Sequence, residues 1–512
     1  MKICVIDIGT NSIHAIFAEI RSTGVFDVIG KDKEMVRLGD GAMLTGKLSE
    51  VAMTRSLEVL RRFVHLAKHR GMSRILAMAT SAVRESENGG DFLDLIRREV
   101  GLKVQVITGA EEGRLVYQAV RNTVEFGDKK AIIFDVGGGS TEFVMASQSE
   151  AYWIESLRLG ANRLSQLFPL SDPPKKIEIK RLEEYIMTMM APLFKRLKSQ
   201  PVDFAIGTSG TIASLARLVL SDDDGSVANQ NLQQVPISAK AVQIKYDELC
   251  ESRLAERYKM KGLDKARADM IIHGAAIVTL LLKHGGISKV MICDKALREG
   301  VLYDFIEKNR KMLRVEEENP EIRRRSVVSL AAKCDFLKGH AEQTAKLALK
   351  LFDALAGIHG LSFLDRELLE YAALLHDVGY VVSFHKHHKH TYYLITQSEL
   401  AGFSPDEIQT IAWTARMHRR SNGKKDDEFV KLTPANQKQI LCLAAILRLA
   451  DALDHSHFSL VEDIKAKEEN GVVRIKIFTR GDAQWEVHEA LERRDLFEKM
   501  VGRKIEFAKK TM

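Results

Sequence analysis

The chain has 512 residues, of which 45% are hydrophobic and 28% are charged, and its formal net charge is +7. This balance is typical of a globular protein and excludes a collagen-like or largely disordered chain. The five cysteines show no paired spacing, so the sequence predicts a reducing, cytoplasmic compartment and neither a disulfide framework nor a zinc ribbon. The most apolar predicted helix, Ile271 to Leu282, is too short to span a membrane.

The N-terminal stretch from Ile3 to Ile20 predicts two strands joined by a short turn, Asp7 to Ser12. A second stretch, Ala131 to Glu142, repeats this pattern, because its strand also ends in an acid, Asp135, with small residues and a hydroxyl after it. Such a repeat predicts two hairpins that face each other across a cleft. Glycine-rich turns bring backbone N–H groups close to an anion. For either stretch alone, a turn without any ligand is the alternative.

Helical periodicity and apolar runs alternate between these two stretches. The predicted elements are a helix from Leu48 to His69, a strand from Arg74 to Ala79, a helix from Phe92 to Glu99, a strand from Val104 to Ile107 and a helix from Gly109 to Gln118. This alternation predicts an α/β lobe over residues 1–125.

A second lobe is predicted over residues 126–305. It contains the second hairpin, a strand from Tyr152 to Ser156 and a helix from Glu178 to Lys198. The string FAIGTSGT, Phe204 to Thr211, predicts a strand that runs into a small-residue turn and the start of a helix. A helix N-terminus behind such a turn is a third candidate contact for an anion or a nucleoside.

A strongly charged stretch, Ile306 to Arg325, indicates a domain boundary. From Ser326 to His457 the apolar residues recur three and four apart, and we predict a helical domain over residues 306–457. Alternating apolar residues from Val461 to Trp485 then predict a small α+β domain over residues 458–512, which ends in a basic tail.

Six short strings follow one another in a specific order in the two predicted lobes. They are DIGTNS at Asp7 to Ser12, ATSAVR at Ala79 to Arg84, GAEEGR at Gly109 to Arg114, DVGGGSTE at Asp135 to Glu142, GTSGT at Gly207 to Thr211 and ALREGVLY at Ala296 to Tyr303. Together they resemble the exopolyphosphatase/guanosine pentaphosphate phosphohydrolase (Ppx/GppA) family of the actin-like ATPase superfamily, in its long form with an HD-like C-terminal domain. Lys295 departs from the resemblance, since the family commonly has glycine there.

The resemblance implies two actin-like, ribonuclease H-like lobes around a cleft, and hydrolysis of a terminal phosphoanhydride with release of orthophosphate. It implies that Glu112 orients or deprotonates water and that Arg84 binds phosphate oxygens. Mg²⁺ would be held by Asp135, with Glu142 or Asp7 as a further ligand. The implied phosphate contacts are Gly9, Thr10, Asn11, Ser12, Gly137, Gly138, Gly139, Ser140, Gly207, Ser209 and Gly210.

Simpler interpretations exist for several of these side chains. Glu111 and Glu112 could only complement the dipole of their helix. On an ideal helix the two point about 100° apart, so both cannot face the same water. Arg298 and Glu299 could form only a structural ion pair.

The histidines of the predicted helical domain form a separate pattern. The residues that resemble the metal set of the HD superfamily, including the extra ligands of its binuclear members, are His340, His376, Asp377, His390, His418 and Asp451. Imidazole and carboxylate together suit Mn, Fe or Zn, and two such ions would favour phosphate-ester hydrolysis. The alternative is a set of helices kept for packing and dimer contacts, without a metal.

We expect an exopolyphosphatase that acts on inorganic polyphosphate. Two basic clusters, Arg323 to Arg325 and His385 to His390, would line the path of the polyanion, although a solvated basic surface is as good an interpretation. Guanosine pentaphosphate (pppGpp) is the alternative substrate. Alternatives of another class are a sensor of polyphosphate or of the alarmones pppGpp and ppGpp, and an HD phosphohydrolase regulated by the first two lobes. The resemblance implies a homodimer, and the sequence predicts no membrane span and no specific nucleic-acid partner.

Overall fold

The chain divides into two units, Met1–Glu317 (unit 1) and Glu318–Met512 (unit 2). The computed structural model describes residues 1–21, 24–221, 232–313, 322–334, 337–419, 426–469 and 471–511. Within these ranges, no helix is both long enough and apolar enough to cross a lipid bilayer.

The first lobe of unit 1 is built on a five-stranded sheet. Its elements are β1 (Lys2–Ile8), β2 (Ser12–Ile20), β3 (Phe26–Met35), α1 (Ala42–Thr45), α2 (Glu50–His69), β4 (Arg74–Ala79), α3 (Ser81–Glu85), α4 (Gly89–Val100), β5 (Val104–Val106) and α5 (Gly109–Arg121). The strand order is β3-β2-β1-β4-β5, in which β1 to β3 form an antiparallel meander and β4 and β5 are parallel to β1.

The second lobe is built on a six-stranded sheet. Its elements are β6 (Ala131–Val136), β7 (Thr141–Ala146), β8 (Ala151–Leu157), α6 (Ala161–Leu167), α7 (Lys176–Ser199), β9 (Phe204–Thr208), α8 (Ser209–Leu220), β10 (Pro236–Ser238), α9 (Ala239–Glu251), α10 (Leu254–Arg257), a 3₁₀ turn (Lys265–Arg267), α11 (Ile271–His284), β11 (Lys289–Ile292), α12 (Leu297–Lys308) and α13 (Arg310–Leu313). The strand order is β10-β11-β9-β6-β7-β8.

The two sheets repeat one arrangement. Strands β6, β7 and β8 form an antiparallel meander as β1, β2 and β3 do, and β9 is parallel to β6 as β4 is to β1. Asp7 and Asp135 stand at equivalent places, each near the end of the central strand of its sheet. The predicted internal repeat and the actin-like fold of two α/β lobes are confirmed.

Two helices, α5 and α12, each follow the strands of one sheet in the chain and pack on the other sheet. Helix α5, which follows the strands of the first lobe, packs on β7 and β8, where Gly113 lies against Ile154 and Val144. Helix α12 packs on α5 and on β1, and the backbone of Leu115 lies so close to Gly300 that a Cβ there would stand 1.9 Å from the Leu115 carbonyl oxygen. Helix α5 therefore places the GAEEGR segment beside the sheet of the second lobe.

Unit 2 is helical with a small terminal sheet. Its elements are α14 (Ile322–Lys333), α15 (Lys338–Ala354), α16 (Ala356–His359), α17 (Phe363–Leu375), a 3₁₀ turn (Val378–Val381), α18 (His387–Gln397), α19 (Pro405–Arg416), α20 (Asp427–Val430), α21 (Pro434–Ala452), β12 (Val461–Glu469), β13 (Val472–Thr479), α22 (Gln484–Glu492), α23 (Asp495–Val501) and β14 (Lys504–Thr511). The segment predicted as a basic tail is strand β14, which pairs in parallel with β13.

One of the two predicted basic clusters is engaged in ion pairs inside unit 2. Arg323 is buried and pairs with Glu367 and Glu407, both at 3.0 Å. Arg324 pairs with Glu370. A buried, paired arginine offers no charge to an external polyanion, so the prediction is wrong for Arg323; for Arg324 and Arg325 it stays a prediction.

Candidate active site

Two equivalent turns form the floor of the cleft in unit 1. The N–H of Gly9 donates to the carbonyl of Ser12 (3.1 Å), and the N–H of Gly137 donates to the carbonyl of Ser140 (3.0 Å). These two glycine N–H groups therefore close their own turns. Of the predicted phosphate contacts, Gly9 and Gly137 shape the site and have no free N–H to donate.

The turns of the two lobes touch each other. A Cβ on Gly138 would stand 3.0 Å from Asn11 and 3.1 Å from Thr10, and a Cβ on Gly139 would stand 2.7 Å from the Thr10 hydroxyl and 2.5 Å from that of Ser81. Only glycine permits this approach. The structure thus brings four of the predicted phosphate contacts together where the lobes meet.

The third predicted contact segment, Phe204 to Thr211, makes different contacts from those of the two turns. Gly207 is buried between Phe134 and Ile212, because a Cβ there would stand within 2.8 Å of both side chains. This close packing explains why the strand has a glycine here, and the contact of Gly207 with phosphate stays a prediction. Ser209, with a left-handed φ of 80°, donates to the carbonyl of Val136 (3.0 Å).

Four acids converge beside the turns, of which Glu142 is buried and the other three are partly buried. They are Asp7, Glu112, Asp135 and Glu142. The charge of Asp135 acts on Asp7 and Glu142, and the charges of Glu142 and Asp7 act on Glu112. Burial, with the neighbouring carboxylates, raises the pKa of Asp7 to about 6 and that of Glu142 to about 7. Burial also raises the pKa of Asp135, against hydrogen bonds from Thr208 and Ser209. Such a set is stabilised by a bound cation or by protons.

Glu112 lies at the start of α5, in the first turn of the helix. Its Oε2 accepts a hydrogen bond from Arg84 Nη1 at 3.1 Å, and the same Nη1 donates to the carbonyl of Ile107 at 2.8 Å. Burial and the charge of Glu142 raise the pKa of Glu112 well above its usual value. Glu111 points elsewhere, because it forms a double hydrogen bond with Arg114.

Two further cations reach the acids: the sequence analysis missed Arg267 and considered Arg298 only as a partner of Glu299. Arg298 lowers the pKa of Asp7 and of Asp135, and it contacts His14 Nδ1 at 2.5 Å. Arg267 also acts on Asp135 and packs against Gly210, where a Cβ would stand 2.2 Å from its guanidinium. Glu299 caps its own helix by accepting from the N–H of Ala296 (3.1 Å), so Arg298 is directed into the cleft.

The predicted metal residues of unit 2 also come together, with one correction. His340, His376, Asp377, His418 and Asp451 lie in one buried cluster. His390 lies outside it, and His387, one helical turn earlier on α18, contacts Asp377 at 3.2 Å in its place. Helix α18 begins at His387, directly after Lys386 in the left-handed conformation, and this start turns His387 inward.

A two-lobed α/β fold with two equivalent glycine-rich turns and converging acids in its cleft is typical of a phosphatase of the actin-like class. Residues 3–309 match the model of the Ppx/GppA phosphatase family, and residues 322–500 match the model of domain III of Ppx/GppA phosphatases. The chain belongs to the Ppx/GppA family and is a phosphoanhydride hydrolase.

Solved structures agree with this assignment. An exopolyphosphatase from Cytophaga hutchinsonii is 28% identical with a TM-score of 0.58, over 60% of this chain and 98% of that chain. The Ppx/GppA family member from Aquifex aeolicus is 29% identical with a TM-score of 0.52, also over 60% of this chain and 98% of that chain. An exopolyphosphatase-like protein at 23% identity and a TM-score of 0.55 shares the fold.

Proposed function

We propose that unit 1 is a Mg²⁺-dependent exopolyphosphatase that releases orthophosphate from the end of inorganic polyphosphate. The observation that carries the proposal is the convergence of these four acids with Arg84, Arg267 and Arg298. Phosphoryl transfer needs charge neutralisation and an aligned water more than covalent chemistry. The contact between the two turns suits a narrow phosphate chain held from both sides.

The residues present fit a magnesium ion. Asp135, Glu142 and Asp7 supply carboxylate oxygens, which Mg²⁺ prefers, and the buried Oδ1 of Asp7 has no hydrogen-bond partner among the described residues. When bound, the ion would neutralise the phosphate oxygens of the substrate. A second carboxylate, that of Glu142, is oriented by the Ser156 hydroxyl at 2.8 Å.

Side chains of the cleft activate the attacking water and stabilise the charge of the leaving phosphate chain. Glu112 accepts the proton of the attacking water while Arg84, held by the Ile107 carbonyl, fixes the orientation of the carboxylate. A bond forms from the water oxygen to the terminal phosphorus, and the bond from phosphorus to the bridging oxygen breaks. The shortened chain leaves with the charge on its new terminal oxygen, beside Arg298 and Arg267.

The first prediction compares two adjacent glutamates. We expect Glu112→Gln to lower kcat by about 10²- to 10⁴-fold, because it removes the general base, and to leave polyphosphate binding nearly unchanged. The matched control is Glu111→Gln, since Glu111 is tied to Arg114 outside the acid cluster. Phosphate release from long polyphosphate, with Mg²⁺ and with EDTA, measures both. Unchanged release by Glu112→Gln would refute its role, and full activity in EDTA would refute the need for a metal.

The identity of the substrate needs a separate measurement. Steady-state kinetics on long polyphosphate and on guanosine pentaphosphate, with the same enzyme preparation, compare the two values of kcat/KM. A large preference for the nucleotide would replace polyphosphate by pppGpp as the substrate while leaving the catalytic residues unchanged.

The proposal includes a homodimer in the cytoplasm, as the family resemblance implies. Four of the five cysteines are buried, and no disulfide joins any of them among the described residues, which fits a reducing compartment. Sedimentation equilibrium of the full chain gives the oligomeric state, and a monomer at micromolar concentration would remove the dimer from the proposal.

A further inference from the structure

The three glycines that follow β6, here called the glycine turn, are held by one short segment of the second lobe. The N–H of Ala161 donates to the carbonyl of Gly137 (3.0 Å), and the N–H of Arg163 donates to that of Gly138 (2.9 Å). The third carbonyl, that of Gly139, accepts from the Arg163 side chain, through Nε at 2.7 Å. All three carbonyl groups of the glycine turn therefore point to the start of helix α6.

The N–H groups of the same peptide units point the other way. In a trans peptide the N–H and the carbonyl lie on opposite sides, and the peptide bonds of the glycine turn are trans. The N–H groups of Gly138, Gly139 and Ser140 thus face away from α6, and none of them donates to another described residue. Successive free N–H groups bind an anion, so the direction of the Gly139 carbonyl decides where the N–H of Ser140 donates.

The equivalent carbonyl in the first lobe is held by the backbone. There the N–H of Arg37 donates to the carbonyl of Asn11 (2.7 Å), and Asn11 stands in its turn where Gly139 stands in the glycine turn. The second lobe uses the guanidinium of Arg163 for this purpose. A backbone N–H serves one carbonyl only, whereas a guanidinium has further N–H groups that can bind a second acceptor.

The second acceptor of Arg163 belongs to the other lobe. Its Nη2 lies 2.7 Å from Glu85 Oε2, and the two side chains are only 11% and 15% exposed. The other oxygen of Glu85 accepts from the Ser81 hydroxyl at 2.7 Å, and that hydroxyl lies against Gly139. Well-packed hydrophobic residues often stabilise a fold as much as a buried ion pair does, so packing alone gives no reason for these charges.

Glu85 also lies next to the residue that holds the water-activating carboxylate. It is the last residue of α3 (Ser81–Glu85), and its neighbour Arg84 donates to Glu112 at 3.1 Å. Hydrogen bonds therefore run from the glycine turn through Arg163 and Glu85 to the short helix that carries Arg84. This chain of contacts joins the phosphate-facing turn of the second lobe to the water-activating side of the first.

We propose that Arg163 is a positioning residue that aligns the N–H groups of the glycine turn with a phosphate and that, through Glu85, makes this alignment depend on closure of the two lobes. The inference rests on the proposed function of unit 1. When the lobes part, Arg163 loses Glu85, and the carbonyl of Gly139 is held by a side chain that is free to turn to water. The phosphate and Glu112 are then aligned only in the closed cleft.

Orthophosphate binding to the full-length chain in Mg²⁺, measured by isothermal titration calorimetry, tests the alignment. Arg163→Met should raise the Kd for orthophosphate about tenfold, because the glycine turn loses a hydrogen bond from a charged group. The matched control is Arg158→Met. Arg158 Nε lies 3.1 Å from the same oxygen of Glu85, but the side chain is 72% exposed and makes no hydrogen bond to the glycine turn among the described residues.

The control should bind orthophosphate as wild type does. Equal Kd values for Arg163→Met and Arg158→Met, or a wild type that binds no orthophosphate at millimolar concentration, would overturn the proposal. Arg163→Lys serves if Arg163→Met shows no cooperative thermal unfolding. It keeps the charge beside Glu85 but lacks the rigid fork of donors that serves two acceptors together. Its Kd should rise several-fold, and an unchanged Kd would overturn the alignment.

A double-mutant cycle on kcat for phosphate release from polyphosphate tests the link between the lobes. Arg163→Met should lower kcat about 10²-fold, as misplacement by about 1 Å does, and Glu85→Gln about tenfold. The double variant should lose no more than Arg163→Met alone, because Glu85 acts through Arg163. Losses that multiply would overturn the dependence on closure. A wild type that releases no phosphate from polyphosphate would refute the proposed function instead, and the orthophosphate Kd values would still decide on Arg163.

Discussion

His14 shows how a single residue in the cleft depends on neighbours that are distant in the sequence. Its Nδ1 lies 2.5 Å from Arg298 Nη1, and its Nε2 lies 2.7 Å from the Ser12 hydroxyl. Because arginine only donates, Nδ1 accepts and Nε2 carries the proton. Burial, followed by the charges of Arg298, Lys33 and Arg267, lowers the pKa of His14 to about 2.

This neutral histidine predicts a pH dependence of stability. Below the usual histidine pKa of 6.5 the unfolded chain takes up a proton at residue 14, and the folded chain does not. The free energy of unfolding should therefore fall as the pH drops from 6.5, by up to about 1.4 kcal/mol per pH unit from this residue. His14→Gln should remove that part of the slope in urea unfolding between pH 4.5 and 7.5.

The control is His65→Gln, on the exposed face of helix α2. It should keep the slope of the wild type, because an exposed side chain changes its surroundings little on unfolding. Identical slopes for wild type and His14→Gln would contradict the prediction.

Sequence identified the residues near the acids only where they stand within a recognisable short string. Glu112 and Arg84 stand within strings whose order was informative. Arg267 lies outside these strings, and Arg298, although it stands within ALREGVLY, was considered only as an ion-pair partner of Glu299. Each acts on Asp135 only through folding, more than 100 positions along the chain. Charge pairs of this kind depend on tertiary packing, which periodicity does not encode.

At the scale of the elements, the register of the two hairpins was readable from the sequence. An acid near the end of a strand, followed at the same spacing by a hydroxyl, predicted the same turn twice, and both turns close with equivalent hydrogen bonds. The phase of helix α18 was not readable. Either His387 or His390 could face the cluster, and the start of the helix after Lys386 decided which one does.

The contact between the turns gives the prediction for Gly139. A Cβ at this position would meet the hydroxyls of Ser81 and Thr10 at 2.5 and 2.7 Å. Gly139→Ala should therefore push the two turns apart and lower kcat/KM for polyphosphate by about 10²-fold, as misplacement by about 1 Å does. Gly90→Ala is the control, because a Cβ there meets nothing within 4 Å. Equal kcat/KM values for these two variants would show that the close approach is not needed.

At the scale of the molecule, the repeat predicted two lobes, but it did not predict that a helix of each lobe packs on the sheet of the other. Helix α5 follows the first sheet in the chain and packs on the second, and α12 packs on α5 and on the first sheet. Hydrophobic periodicity tells which face of a helix is buried but not against which sheet. This exchange is what brings Glu112 to Glu142, so the geometry of the acid cluster could not be derived from the sequence.

A set of polar contacts between the two lobes of unit 1 stands on the rim of the cleft. Arg37 Nη2 lies 2.9 Å from Asp269 Oδ2, Asp40 accepts from Asn162 at 2.9 Å, and the N–H of Gly41 donates to Gln166 at 3.0 Å. Polar, partly exposed contacts of this kind break at low cost. They suit a cleft that opens to admit substrate and closes over it.

The last prediction concerns this rim. Arg37→Asp and Asp269→Arg should each lower kcat/KM for polyphosphate several-fold, because each replaces an attraction across the cleft by a repulsion between like charges. The double variant with the two charges exchanged should recover part of the loss, and a coupling of about 0.5–1 kcal/mol in the double-mutant cycle is the size that a partly exposed pair gives. If kcat/KM of the double variant were no higher than that of the worse single variant, the ion pair between Arg37 and Asp269 would not contribute to closure of the cleft. Full recovery would show that their mutual attraction, and not their individual contacts with a polyanion, is what stabilises the closed cleft.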